Sequence, residues 1–153
     1  MVYKVLRDPT CYDVLVGSNM KEPAVCIGEM AFIRCGLTTL LTDVLQLSTL
    51  VTGITGIHNL IAKWYFNPWA DCYEFTKPSL KHPNILVPTR ERAIVEYIIF
   101  KDYFDEGILI EGLKIYIQQN TDFTALRDVA KYFKLKDSIL DYWINEALTD
   151  EDD

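Results

Sequence analysis

The side chains of this sequence that could act as nucleophiles or bases are cysteines and histidines. They are Cys11, Cys26, Cys35, Cys72, His58 and His82. A thiolate beside an imidazole would support a small hydrolase or transferase. No serine or cysteine has the sequence setting of the sharp turn that presents the nucleophile in hydrolases. We therefore predict no catalytic residue, and a Cys/His enzyme stays an alternative that depends on how the chain folds.

Metal and cofactor sites are not indicated either. Structural zinc sites usually combine close pairs of cysteine and histidine, and neither kind of pair occurs here. The acidic residues at positions 102–111 lack regular ligand spacing, which favours a solvated surface. The Gly- and Thr-rich segment 51–59 lacks the Gly-Lys-Ser/Thr sequence of a phosphate-binding loop. The sequence predicts no cofactor and no metal, and it predicts cysteines buried in a reducing, cytoplasmic compartment.

Two arginines open the apolar part of the segment 84–100, NILVPTRERAIVEYIIF. Arg92 and Glu96 are four residues apart, a spacing that brings their side chains together on a helix. We interpret this pair as a structural clasp; contact with a partner is the alternative for Arg92 and for Arg90. Cations at the start of a helix oppose its dipole, so we expect an acceptor to hold them: Glu96, a carbonyl group or a partner.

A third arginine, Arg34, stands in a mostly apolar segment. It could form a buried ion pair with Glu29 or Asp43. The alternative places Arg34 at the exposed edge of its helix.

Aromatic residues are dense between positions 64 and 73. Trp64, Phe66, Trp69 and Tyr73 are our candidate partner-binding residues. Alternation along a strand sends about half of such side chains to each face. One set should enter the core, and the other would form an apolar surface patch that often marks an interaction site. Burial of both sets beneath a helix is the alternative.

The charge of the chain is acidic and uneven. Its 153 residues carry a formal net charge of −7, of which −6 falls on residues 78–153. Phosphate neutralisation supplies most non-specific affinity for DNA, so this balance argues against direct DNA binding and favours a basic protein partner. The sequence shows neither an N-terminal signal pattern nor an apolar run long enough to span a membrane.

The first half of the chain predicts strands. Short strands or irregular structure are expected at residues 2–6 and 13–16, and a strand follows a helical turn in residues 37–51. Residues 60–66 and 72–75, on either side of an Asn-Pro turn, predict a β-hairpin. Pro88 ends a last strand at residues 85–87, because proline donates no hydrogen bond to a sheet.

Helices are predicted in both halves. Residues 24–35 form one, with Gly36 at its C-terminal end. Thr89 caps the next at residues 90–101. Helix 106–119 follows, weakened by Gly107 and Gly112. Thr121 or Asp122 caps a further helix, and Asp137 or Ser138 caps the last.

These elements predict an α+β domain, in which a small mixed sheet from the first half packs against three or four consecutive C-terminal helices. We expect one domain over residues 1–148: residues 1–23 are irregular or short strands, and residues 24–148 form the core. Residues 149–153 form an acidic tail, which frays because its charges lie at the negative end of a helix dipole.

Three segments resemble the AbiEi family of antitoxins. VPTRERAIVEYI resembles the junction of that family in which a strand meets a Pro-x-x-Glu-Arg-Ala helix. CIGEMAFIRCGLTT is similar to its helix ending in Gly-Leu-Thr, and DFTALRDVAKYFKLKDSILDYW to its C-terminal helices. The resemblance covers roughly residues 24–148. The sequence departs from the family in one respect, because we do not expect in it the N-terminal winged helix-turn-helix that binds operator DNA in many members.

The resemblance implies a non-enzymatic antitoxin that counters a nucleotidyltransferase-type toxin, in toxin–antitoxin systems linked to abortive infection and phage defence. What remains without the winged helix is the toxin-countering domain. A regulator from a phage or mobile element that inhibits a host nucleic-acid enzyme is the second alternative. The sequence itself identifies neither the partner nor the binding face.

Overall fold

The computed structural model describes residues 11–42, 44–50 and 61–150. It has the predicted α+β architecture, with a small mixed sheet and several C-terminal helices. In chain order the elements are α1 (Cys11–Gly17), β1 (Ala24–Val25), α2 (Gly28–Arg34), β2 (Leu45–Thr49), β3 (Ala62–Phe66), β4 (Thr76–Pro78), β5 (Ile85–Pro88), α3 (Arg90–Ile99), a 3-10 turn (Lys101–Tyr103), α4 (Glu106–Gln119), α5 (Thr124–Tyr132) and α6 (Asp137–Thr149).

The strands form two small sheets that meet at one bridge. β5 lies between β1, its parallel neighbour, and β4, its antiparallel neighbour. β2 and β3 pair in parallel. Cys26 bridges to Leu47 in the antiparallel sense, and the Ile27 N–H donates to the Gln46 carbonyl at 2.9 Å. These bonds join the two sheets into one layer.

The predicted hairpin of residues 60–66 and 72–75 is wrong. β3 pairs with β2, and the strand after the Asn-Pro turn is β4, which pairs with β5 instead. The turn itself exists: the Asn67 side chain accepts the Trp69 N–H at 2.8 Å. Asn67 is fully buried, and its side-chain nitrogen donates to Ser48 and Glu96. These bonds hold the turn against β2 and α3, so the chain does not return along β3.

Two predictions near the N-terminus also need correction. Residues 13–16, predicted as a strand, lie within helix α1. The helix predicted at 24–35 begins only at Gly28, because Ala24 and Val25 pair with β5. Gly36 does follow the helix end in the left-handed region, with φ of 71°, as a C-terminal glycine should. The predicted strand at residues 2–6 lies outside the described residues.

Residues 37–42 and 44–50 contain strand β2 but not the expected helical turn. Residues 37–42 contain no helix, and β2 ends at Thr49. Leu45 and Leu47 are fully buried in the core. The Gly- and Thr-rich segment 51–59 lies outside the described residues.

The junction at Pro88 is confirmed. β5 ends at Pro88, and the Thr89 side chain accepts the Arg92 N–H at the start of α3. The β-branched run in α3 would suit a strand by propensity. Burial of its Ala93, Ile94 and Val95 side chains in the core stabilises the helix instead.

The C-terminal helices cover α3. Helix α4 has the predicted bounds, and Asp105 caps it by accepting the Ile108 N–H. The predicted caps of the last two helices are wrong in detail. Asp122 accepts the Thr124 N–H from one position before the cap residue Phe123, which lowers the pKa of Asp122. Helix α6 begins after Lys136 without a side-chain cap.

The chain ends, in its described part, on an ion pair. Helix α6 extends to Thr149, and Asp150 Oδ2 lies 2.6 Å from Lys114 Nζ. Residues 151–153 of the predicted acidic tail lie outside the described residues. Within residues 11–42, 44–50 and 61–150, no helix has both the length and the apolar character to cross a membrane.

Candidate functional site

Arg92 and Glu96 form a buried ion pair on helix α3. Arg92 Nε donates to Glu96 Oε1 at 2.9 Å, and the two residues are 0% and 1% exposed. Arg92 also donates to the carbonyl groups of Cys72 and Glu74, both at 2.7 Å. Its guanidinium lies 4.9 Å from the ring centre of Phe133. Arg92 therefore ties the loop after β3 to the helical layer.

Asn67 extends this network to the sheet. Its side-chain nitrogen donates to Glu96 Oε2 at 2.5 Å and to the Ser48 hydroxyl at 3.3 Å. All three side chains are buried, so every group in the network depends on its partners for hydrogen bonds. This geometry is that of the predicted clasp. Because Arg92 is buried and fully engaged, its guanidinium is not accessible to a partner, contrary to its alternative role as a binding residue.

The clasp holds in place the loop of residues 67–75 between β3 and β4, which carries Trp69 and Tyr73 and is called the aromatic loop. Trp69 is partly buried, and its ring contacts Phe100 at 6.4 Å and Phe133 at 5.7 Å between centroids. Phe66 and Tyr73 are each 40% exposed. Trp69 is thus an anchor with a remaining exposed edge, whereas Phe66 and Tyr73 present their rings to the surface.

Trp64 and Tyr73 line one pocket of about 430 Å³. Lys21, Glu22 and Asp71 line the same pocket. The pKa of the Tyr73 phenol is raised by partial burial and, to a smaller extent, by the negative charges of Glu22 and Asp71, which line the same pocket. In the described part of the chain neither carboxylate forms an ion pair. The pocket therefore combines two aromatic walls with a net negative charge.

Arg90, the remaining predicted site residue, lies elsewhere. Its Nε donates to the Cys35 carbonyl at 3.0 Å and its Nη1 to the Gln119 side-chain oxygen at 2.5 Å. A carbonyl was one of the acceptors we expected for a cation at this helix start. Arg90 lines a second pocket that shares no residue with the first.

The buried ion pair considered for Arg34 is present, but its partner is one that the sequence did not indicate. Arg34 donates to Asp13 through both terminal nitrogens, at 2.9 and 2.7 Å, and the Ser79 hydroxyl also donates to Asp13. The predicted partners were Glu29 or Asp43. Glu29 instead accepts from Gln46 at 3.1 Å, and Asp43 lies outside the described residues. Nothing in the sequence indicated Asp13 as the partner of Arg34, because residues 13–16 were expected to form a short strand or irregular structure. In the structure Asp13 lies in helix α1 and is fully buried.

Two of the candidate nucleophiles, Cys26 and Cys35, lack the environment that activates a thiol. Burial raises the pKa of Cys26 to about 12 and that of Cys35 to about 11, so both are neutral thiols near neutral pH. His82 Nδ1 accepts the Asn84 N–H at 3.1 Å, a bond that orders a turn. His58 lies outside the described residues. Across the part of the chain that the structure describes, no three His, Cys, Asp or Glu side chains gather as metal ligands would.

Comparison with known proteins gives no family for this chain. No protein-family model matches it. No curated protein matches it either.

Proposed function

We propose that this protein is a non-enzymatic, antitoxin-like interaction protein that counters a basic partner of the nucleotidyltransferase type. The interaction part of the proposal rests on the pocket between Trp64 and Tyr73. The identity of the partner rests on the resemblance of the 87–98 junction and the C-terminal helices to AbiEi antitoxins.

The chemistry of the pocket favours a basic side chain of the partner. A guanidinium or ammonium group is attracted to the face of an aromatic ring and to carboxylates. Trp64 and Tyr73 offer such faces. The pocket is lined by two carboxylates, Glu22 and Asp71, and by one cation, Lys21, so its lining has one surplus negative charge. The surplus negative charge of the chain attracts a basic partner over longer distances.

The aromatic loop supports a docking role because it is rigidly held. A surface that is ordered before binding loses little conformational entropy on docking. The buried bonds of Arg92 to the carbonyls of Cys72 and Glu74 fix the backbone that carries Tyr73. Exposed rings on a fixed backbone are typical anchors in protein interfaces.

The test is co-expression with a nucleotidyltransferase-type toxin encoded beside this chain. We expect the chain to relieve the growth arrest caused by the toxin and to co-purify with it. The double variant Glu22→Lys, Asp71→Lys should fold but fail in both assays. The control is Glu146→Lys, which changes an exposed acid on α6 and should retain both activities.

Three outcomes decide against the proposal or a part of it. Absence of both rescue and complex formation with the wild-type chain removes the antitoxin function. A complex with a host nucleic-acid enzyme in place of the toxin would support the alternative, an inhibitor carried by a phage or mobile element. Rescue that survives the double charge reversal would mean that docking does not use this pocket.

A further inference from the structure

A second pocket, of about 310 Å³, lies where α3 begins. Its walls come from the end of α2, from β4 and β5, and from the first residues of α3. The lining residues are Arg34, Cys35, Thr76, Lys77, Val87, Pro88, Thr89 and Arg90. Three cationic side chains thus meet in one pocket of a chain whose net charge is −7.

Arg90 is firmly held, but no carboxylate of the described residues forms an ion pair with it. Both of its acceptors, the Cys35 carbonyl and the Gln119 amide oxygen, are neutral. These two bonds use Nε and Nη1, and they fix the plane of the guanidinium. The second terminal nitrogen, Nη2, makes no hydrogen bond to any other described residue. An oriented guanidinium with donors to spare is a preferred partner of phosphate.

Lys77 supplies a second uncompensated cation. It is exposed on β4, and within the described ranges no carboxylate pairs with it. Arg34 contributes less, because its charge is balanced by Asp13. The nearby carboxylate of Glu91 accepts a hydrogen bond from the Tyr116 hydroxyl at 2.9 Å, which holds it toward α4.

The other pocket walls do not oppose an anion. Cys35 Sγ lies 3.2 Å from the Pro88 carbonyl, to which it donates, and burial keeps the thiol neutral. Helix α3 starts in the wall at Arg90, so its positive dipole end adds to the charge of Lys77 and Arg90.

We propose that this pocket binds a small phosphate-bearing molecule, with the phosphate group held between Arg90 and Lys77. Two free cations match the charge of a phosphate monoester near neutral pH. The volume of the pocket lies at the lower end of the range for small-molecule sites, which leaves room for a compact group beyond the phosphate. This site is separate from the docking pocket and does not depend on the proposed function.

The experiment is calorimetric titration of the whole chain with ribose 5-phosphate, inorganic phosphate and ribose at constant ionic strength. We expect ribose 5-phosphate to bind most tightly, and ribose not to bind. Lys77→Gln should weaken binding of ribose 5-phosphate about fivefold, since it removes one charge-assisted contact near the surface. Arg90→Gln should weaken it further.

The matched control is Lys131→Gln, which removes an exposed cation from α5 and leaves the same net charge as Lys77→Gln. This control should bind ribose 5-phosphate as the wild type does. If Lys77→Gln and Lys131→Gln lower the affinity for ribose 5-phosphate equally, the effect comes from the net charge of the chain, and the proposed site is overturned. Equal affinity for inorganic phosphate and ribose 5-phosphate would overturn the small-molecule part. If Arg90→Gln does not fold, the Lys77 and Lys131 pair still decides the result.

Discussion

Asn67 Nδ2 and Glu96 Oε2 lie 2.5 Å apart in the interior, although the two residues are 29 positions apart in the sequence. This hydrogen bond joins the turn after β3 to helix α3. Through Arg92, the same carboxylate is linked to the backbone of the aromatic loop. Glu96 is therefore the central group of the clasp, and its charge is balanced by Arg92 alone among its described partners.

We predict that Glu96→Gln destabilises the protein by about 3 to 5 kcal/mol, because it leaves the Arg92 charge buried without a counter-charge. The NH2 group of the new amide would also face a donor, either Asn67 Nδ2 or Arg92 Nε, since both oxygens of Glu96 accept hydrogen bonds. Chemical denaturation followed by far-UV circular dichroism measures the change. Glu146→Gln, on the exposed face of α6, should alter the free energy of unfolding by less than about 0.5 kcal/mol. Equal effects of the two substitutions would show that the clasp contributes no stability.

The features that the sequence predicts correctly are those with local causes. The strand end at Pro88, the Thr89 cap and the bounds of α4 each depend on residues within one or two helical turns. The spacing of Arg92 and Glu96 was sufficient to predict their contact. The helical period of the second half likewise predicted the helical layer.

The features that the sequence misses depend on distant residues. Strand propensity identifies β3, but the choice between β2 and a hairpin partner is made by tertiary packing. Asp13 and Arg34 are 21 positions apart, so no helical spacing links them. The pocket of Trp64 and Tyr73 needs Glu22, whose place beside the loop no local pattern predicts. The density of aromatic residues identified Trp64 and Tyr73 as candidates, but it did not predict that they line the same pocket.

Gly112 provides a test in which packing and helix propensity predict opposite signs. Alanine favours a helix over glycine by about 1 kcal/mol. A Cβ at position 112, however, would lie 2.8 Å from Phe32 Cδ2 and 3.2 Å from the Leu37 carbonyl oxygen. Phe32 cannot easily move, since it is fully buried against the Tyr97 ring. Overpacking costs about 1 to 3 kcal/mol, and the gain in helix propensity offsets about 1 kcal/mol of this, so we predict that Gly112→Ala lowers the free energy of unfolding by up to about 2 kcal/mol.

The measurement is urea denaturation of Gly112→Ala beside Gln118→Ala, an exposed substitution on the same helix. Gln118→Ala should be neutral or slightly stabilising. A more stable Gly112→Ala protein would show that α2 and α4 can separate at no cost.

Stability should fall in alkaline solution. The pKa of Cys26 is about 12 and that of Cys35 about 11 in the folded chain, both raised by burial, whereas an unfolded thiol titrates near about 8.5. The folded state therefore retains protons that the unfolded state has lost. This stabilising contribution is complete below about pH 8.5 and is lost as pH rises toward the folded pKa values, by up to about 1.4 kcal/mol per pH unit for each thiol. Burial raises the pKa of Tyr97 and Tyr116 as well, and their effect adds above about pH 10.

Urea denaturation between about pH 9 and 10 checks this prediction, because thiols dominate the proton difference there. The double variant Cys26→Ala, Cys35→Ala should lose stability with pH less steeply than the wild type, whatever its absolute stability. Identical slopes would mean that the two thiols titrate as freely in the folded chain as in the unfolded one.

The docking pocket can be tested without its natural partner, because Trp64 lies in its wall. An arginine-rich peptide should change the tryptophan fluorescence of the chain, and added salt should weaken the effect by screening the charges. We predict that Asp71→Asn lowers the peptide affinity about fivefold, since it removes one of the two carboxylates that line the pocket with Tyr73. Glu146→Gln changes the net charge equally but lies outside the pocket, so its affinity should match the wild type. Trp64→Phe should remove most of the fluorescence change. If Asp71→Asn and Glu146→Gln lower the peptide affinity equally, the peptide binds because of the net charge of the chain and not specifically in this pocket.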